Sequence, residues 1–212
     1  MLDFDGPICS VFAGLPARAV ADRLRRSLRQ LGVEIGPELA DDNDPLSIYH
    51  HSKALGLVIT KQISDDLVAS EVESAASADP TPGAVDVMLA ARRSGRQVAV
   101  VSNNSAAAVE AYADRHGLME FIDHIAARRT PDPRLMKPDP FYLVEAASAL
   151  DVVPAECVLV GDSVTDIEAG RNAGVPAIGY ANKVGKDARL KKAGASTVIY
   201  AMSDLVPALQ HI

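Results

Sequence analysis

From Pro82 onward the chain alternates short apolar runs with helical stretches, and few folds accept that order. Ala84 to Ser94 reads as a helix stopped by Gly95, and Val98 to Val101 as a β-branched strand running into Ser-Asn-Asn-Ser. Ser105 to His116 is a predicted helix with Gly117 as its stop, followed by a weaker strand from Phe121 to Ala126. Pro138 to Leu150 fits a helix with proline at its first position. Val158 to Val160, Pro176 to Tyr180 and Thr197 to Ile199 supply further strands, separated by helices at Thr165 to Ala173 and Asp187 to Ala193. A last helix is expected from about Asp204 to Gln210. Apolar strands that alternate with helices imply a parallel sheet buried on both faces, hence an α/β core.

Residues 13–79 break this rhythm. Ala19, Val20, Leu24, Leu28 and Leu31 mark one stripe of a helix, and Leu46 to Leu57 and Ile63 to Ala75 give two more helical segments. No strand pattern occurs there, so residues 13–79 are expected to form an all-helical insertion, with residues 1–12 and 80–212 as the core. Pro16, Gly36-Pro37 and Asp79-Pro80-Thr81-Pro82-Gly83 punctuate it, the first and last as plausible hinges.

Composition narrows the function. Of 212 residues 48% are apolar but only 4% aromatic, so small side chains build much of the core. A net charge of -7 argues against nonspecific nucleic-acid binding. Arg23, Arg25, Arg26 and Arg29 read as a solvated helix face. Cys9 and Cys157 make no disulfide framework and read as small core residues. No apolar run reaches the length of a membrane span and no signal peptide precedes Asp3, so a cytoplasmic protein is expected, with no membrane partner.

Four short patterns end predicted elements: Asp3-Phe4-Asp5-Gly6, Ser102, Lys137 before Pro138-Asp139-Pro140, and Gly161-Asp162-Ser163-Val164-Thr165-Asp166-Ile167. In a parallel sheet all strand carboxyl ends share one edge, so Asp3, Ser102 and Asp162 converge there. Lys137 precedes a proline and a helix N-terminus, where anions bind well. Carboxylates suit magnesium, and lysine, serine and backbone N–H groups suit phosphate, a set that reads as metal-assisted phosphoryl transfer. Singly, each residue has a plainer role: Asp3 and Asp5 as turn formers, Ser102 or Ser105 as a helix cap, Ser163 with Asp166 as a capping box, Lys137 as a solvated charge.

In this order the patterns resemble the haloacid dehalogenase-like hydrolases, and the resemblance covers nearly the whole chain. It implies a Rossmann-like three-layer core with a helical cap inserted after the first motif. It implies Asp3 as the nucleophile that forms an aspartyl-phosphate and Asp5 as the general acid/base. Ser102, Asn103 and Lys137 would bind the phosphoryl group. Asp3, the Asp5 carbonyl and Asp162 would hold Mg2+, with Asp166 supporting the metal or orienting Lys137. The implied activity is a magnesium-dependent phosphatase acting on a small phosphorylated metabolite. A β-phosphoglucomutase-like mutase, a dehalogenase and a non-catalytic binding protein are the alternatives; Asp5 and Asp162 argue against a dehalogenase, which needs neither metal nor the second acid.

In the cap, Arg18, Tyr49, His50, His51 and Lys53 are candidates for substrate contact, without motif support. His116 and His124 look structural, and His211 lies in the tail. Two features depart from the family pattern. Pro7 stands where threonine is usual and removes a backbone N–H. Only Met1 and Leu2 precede Asp3, fewer than a central strand normally has, and upstream residues are expected to complete it.

Overall fold

The structure, a computed structural model, describes residues 1–210; His211 lies outside them. After Asp3 the chain turns into β1 (Cys9–Ser10) and enters α1 (Ala17–Gln30), α2 (Pro37–Ala40), α3 (Pro45–Ser52) and α4 (Leu57–Ala75). It returns through β2 (Asp79–Pro80), which pairs antiparallel with β1 at the two crossings between helices and sheet. The sheet region follows as α5 (Ala84–Arg93), β3 (Ala99–Ser105), α6 (Ala106–Arg115), β4 (His124–Arg128) and α7 (Phe141–Ala149). It closes with β5 (Leu159–Gly161), α8 (Val164–Ala173), β6 (Ala177–Tyr180), α9 (Lys186–Ala193), β7 (Thr197–Ile199) and α10 (Val206–Gln210).

Leu2 pairs in parallel with both Val100 on β3 and Val160 on β5. Its N–H donates to Ala99 at 2.8 Å and its carbonyl accepts from Val101 at 2.9 Å, while the Asp3 N–H donates to Val160 at 2.9 Å. Met1, Leu2 and Asp3 therefore do the work of a central strand, and the order across the sheet is β4, β3, Leu2, β5, β6, β7. The chain leaves the middle in both directions, so the topological switch lies at Asp3, where such sheets bind ligands. Along β3 alternate side chains enter different cores. Val98 and Val100 pack in the cluster that includes Val87, Met88, Val109 and Tyr112, and Ala99 and Val101 in the cluster with Leu143, Ile167 and Leu190. Helices thus cover both faces of the sheet.

The helical segment has its own core, in which Val20, Leu24 and Leu28 of α1 meet Ile48, Tyr49, Ile63 and Leu67. The stripe ends at Leu28; Leu31 lies past the helix and is 40% exposed. Gly56, with a φ of 96°, separates α3 from α4, which begins at Leu57.

Several elements differ from expectation. Arg25 is buried and not solvated: it donates to the carbonyls of Leu39 and Asp42, and to Asp22 at 2.5 Å. The α7 helix starts at Phe141 because Asp139 accepts from the Phe141 N–H and Pro138 and Pro140 fill the preceding turn. The strand β4 starts at His124, since Met119–Phe121 form a single 3-10 turn and the Asp123 carboxylate accepts from Val98. No helix among the described residues is long and apolar enough to cross a membrane.

Candidate active site

Asp3 emerges at the carboxyl end of the central pairing, and the backbone then turns sharply. Gly6 makes that turn possible. Its φ is 107°, and a Cβ there would stand 2.5 Å from the Asp162 carboxyl carbon. Only glycine lets this loop press against the loop after β5. Pro7 is accommodated because neighbours close the turn: Gly6 donates to Cys9 at 2.7 Å and Cys9 to Phe4 at 3.1 Å.

Lys137 sits at the centre of the site with its side chain 2% exposed. All three ammonium protons are used, on Asp3 Oδ1 at 2.8 Å, Asp166 Oδ1 at 2.5 Å and the Val101 carbonyl at 3.0 Å. Burial alone would lower this ammonium's pKa, but the carboxylates of Asp166 and Asp3 outweigh it and raise the value. Asp166 also completes a capping box at the start of α8, accepting with Oδ2 from the Ser163 N–H at 3.0 Å and hydroxyl at 2.6 Å. One Asp166 oxygen thus serves the helix cap and the other meets Lys137.

Asp3 is 7% exposed. Burial, and then the charge of Asp166, push its carboxyl well above the usual range, against the pull of Lys137. Asp5 is half-buried and accepts from the Val11 N–H at 3.0 Å, at the entry to the helical segment. Burial is the main cause that pushes its carboxyl up to about 6; the Val11 bond opposes this and the charge of Asp162 adds to it.

Asp3, Asp162 and Asp166 each place a carboxylate oxygen within 4.8 Å of the others. Asp166 has both oxygens engaged, whereas Asp3 Oδ2 and Asp162 Oδ1 have no hydrogen-bond partner among the described residues. Hard oxygen donors around an accumulation of negative charge suit a small divalent cation. Asp162 Oδ2 is met by Asn182 at 3.0 Å and by the Lys186 ammonium.

Ser102 ends the regular part of β3 with its side chain in the same cavity. Its hydroxyl donates to Asn104 Oδ1 at 3.2 Å and accepts from the Asn104 N–H at 3.1 Å. Asn103 uses its side-chain amide to clamp the Lys137 backbone, accepting from its N–H at 2.7 Å and donating to its carbonyl at 3.2 Å. The Lys137–Pro138 peptide is cis.

The cavity holds about 750 Å³ and is lined by Asp3, Asp5, Ser102, Asn103, Lys137, Asp162 and Asp166, together with Phe12 and with Asp42 to Ser47 and His50 of the helical segment. Of the five candidates for substrate contact in the helices, His50 lines it, while Arg18, Tyr49, His51 and Lys53 do not. Tyr49 is fully buried. His124 bonds Glu145 at 2.8 Å and His116 stacks on Tyr112, both away from the cavity. Lys186, Asn182 and the 42–47 segment, a turn and the start of α3, were not singled out from sequence. Lys186 and Asn182 lie just past the carboxyl end of β6, so the rule that flagged Ser102 and Asp162 applies to them as well.

A family model described as a haloacid dehalogenase-like hydrolase matches residues 3–174. The uncharacterized hydrolase YOR131C of Saccharomyces cerevisiae is 33% identical over 116 residues, 54% of this chain and 52% of that protein. A plasmid-encoded phosphoglycolate phosphatase of Cupriavidus necator is 34% identical over 136 residues, 60% of this chain and 58% of that protein. The chain thus spans about half the length of the curated relatives it matches. Among solved structures, CbbY from Rhodobacter sphaeroides in complex with phosphate superposes with a TM-score of 0.67 at 22% identity, covering 96% of this chain and 94% of that one. That likeness is one of fold.

Proposed function

Because the chain belongs to the haloacid dehalogenase-like hydrolase family, we propose that it is a magnesium-dependent phosphatase that acts on a small phosphorylated metabolite through an aspartyl-phosphate. The observation that carries this reading is the buried contact of Lys137 with both Asp3 and Asp166, beside Asp162, at the mouth of a parallel sheet. Phosphoryl transfer needs positioning and charge neutralisation more than it needs covalent machinery. A fixed ammonium among carboxylates supplies the positioning and part of the neutralisation.

In this reading Asp3 attacks phosphorus as the bond to the leaving oxygen breaks, and Asp5 delivers its proton to that oxygen. Asp5, now ionised, takes a proton from water; the water oxygen attacks phosphorus and the bond to Asp3 breaks, releasing phosphate. Ser102 turns its proton from Asn104 to a transferring oxygen, Lys137 neutralises charge there from the position that Asp3, Asp166 and Val101 fix, and Asn103 holds Lys137 in place through its backbone. Asp3, the Asp5 carbonyl and Asp162 would hold the magnesium, with Asp166 supporting from behind. The ion, when bound, neutralises the developing charge on the phosphoryl oxygens.

Residues 13–79 act as the cap: the 42–47 segment and His50 stand over the site and leave a cavity suited in size to a small metabolite. Phosphoglycolate, the substrate named for the Cupriavidus relative, and sugar phosphates are the first compounds to try. The deciding experiment is p-nitrophenyl phosphate hydrolysis by the purified chain. Activity should vanish on chelation and return with magnesium; a folded chain inert in magnesium ends the reading. Product analysis with a hexose phosphate separates hydrolysis from mutase chemistry.

A further inference from the structure

Behind the loop that carries Ser102 lies a buried ion pair that the chemistry above does not use. Glu71 of α4 and Arg128 of β4 meet at 2.7 Å with side chains 0% and 1% exposed. Arg128 belongs to the sheet, and its guanidinium also lies 4.7 Å from the ring centroid of Tyr49 on α3. The pair therefore crosses from sheet to helical segment. It stands where β3 and β4 lose register: Ser102 faces Ala127 and Ser105 faces Arg128, so Asn103 and Asn104 bulge out between them.

Both members hold that bulge. Arg128 Nε donates to the Asn103 carbonyl at 2.8 Å. Glu71 accepts from the Ser105 N–H at 2.9 Å and from Asn104 Nδ2 at 3.2 Å. The last bond has a directional consequence. An ionised carboxylate only accepts, so Asn104 must present its NH2 to Glu71 and turn its carbonyl oxygen to Ser102. That oxygen is the acceptor of the Ser102 hydroxyl. A side chain of the helical segment thus fixes, through one amide, where the Ser102 oxygen stands; the proton it lends to Asn104 would turn to a phosphoryl oxygen when one binds.

Fastening α4 to the sheet does not by itself account for the pair, since apolar residues of similar volume fasten as well or better than a buried ion pair. We propose that Glu71 is a positioning residue for the phosphoryl-binding loop: through Asn104 it sets the Ser102 hydroxyl, and through Arg128 it sets the Asn103 backbone. The loop then has its binding geometry only while α4 is seated against it. This inference rests on the phosphatase reading and deepens it.

The test uses the full chain and the variants Glu71→Gln, Asn104→Ala and their double. Three quantities are measured for each: the inhibition constant of inorganic phosphate, kcat and KM for p-nitrophenyl phosphate, and the melting temperature. Each single variant should raise the phosphate inhibition constant about tenfold, the worth of one hydrogen bond to a charged group. The double variant should add almost nothing, because both substitutions cut the same relay. Asn104→Ala leaves the ion pair intact and carries the test if Glu71→Gln folds poorly. Phosphate inhibition at the wild-type level in a folded single variant overturns the proposal, whatever the melting temperature. Strictly additive losses in the double overturn it too. A wild-type chain without phosphatase activity removes the functional reading and this inference together; an active wild type with indifferent variants removes the inference alone.

Discussion

The sheet edge and the helical segment face the same cavity and are built in opposite ways. At the sheet edge the central charges are buried and held by several partners: Lys137 by three acceptors, Asp166 by Lys137 and Ser163. In the helical segment the cavity-lining acids are less enclosed, Asp42 half-buried and Asp44 exposed, and serve their own backbone. Asp44 accepts from the Leu46 N–H and Asp42 from the Asp44 N–H, both at 2.9 Å. Preorganised buried charge is what a reaction needs, and a locally satisfied exposed loop can change sequence without disturbing it. The difference predicts that substitutions at the sheet edge strike turnover and those in the helices strike recognition, with Glu71 as the exception that joins the two.

The largest effect is expected from Asp3→Asn. Turnover of p-nitrophenyl phosphate should fall by about three orders of magnitude or more, as for other nucleophiles removed from a concerted set. The fold should survive, since the amide oxygen still accepts from Lys137 and a charge disfavoured by burial is gone. Residual turnover near the wild-type level would break the proposed division of labour at its strongest point.

Lys137→Met should also abolish turnover, and it adds a stability readout. It leaves Asp3 and Asp166 facing each other without a cation, at a cost of about 3–5 kcal/mol. Lys137 pulls the Asp3 carboxyl down, so its loss raises that carboxyl further. A carboxyl whose folded value exceeds its unfolded one holds a proton the unfolded chain has released. Its contribution is complete below the unfolded value and lost as pH rises through the folded one. The deficit against wild type should therefore shrink on acidification, read by urea denaturation in chelator at pH 8 and pH 5. A deficit that grows toward pH 5 contradicts the assignment.

The same contrast explains how much was legible beforehand. Asp3, Ser102 and Asp162 could be read because each follows an apolar run, and strand order brings such positions to one edge. The alternation of strands and helices from Pro82 was equally plain, with boundaries displaced where side chains intervene, as Asp139 and Asp123 do at the starts of α7 and β4. Arg25 was not legible. It follows Leu24 in a run of arginines, and its burial depends on carbonyls of Leu39 and Asp42 supplied when α2 and the turn after it fold across it. Glu71 was less legible still, an unmarked acid in α4 whose partner is 57 residues away. Local patterns reveal what a strand end will carry; they do not reveal which distant group will neutralise a buried charge.

Lys186→Met is expected to act more weakly and in the opposite direction. Its ammonium meets the Asp162 oxygen beside the proposed magnesium position and competes for that charge. Removing it should tighten magnesium binding about fivefold, the factor from ~1 kcal/mol between unit charges ~4 Å apart in water. Calorimetric titration of the folded chain with magnesium reads this without turnover. Weaker binding in the variant would make Lys186 a support of Asp162 and not its competitor.

His50→Ala should give the smallest change, and it probes the helical side alone. His50 lines the cavity but is exposed, and its Nε2 lies 2.8 Å from the Lys53 ammonium. An ammonium only donates, so Nε2 accepts and the ring proton sits on Nδ1. Partial burial, and then the charge of Lys53, lower the imidazole's pKa, so near neutrality it offers a hydrogen bond and no charge. A neutral, exposed contact of this kind is worth about a few tenths to one kcal/mol, so KM for the best substrate should rise about two- to fivefold at unchanged kcat. A fall in kcat of an order of magnitude would move His50 across the divide and into the chemistry.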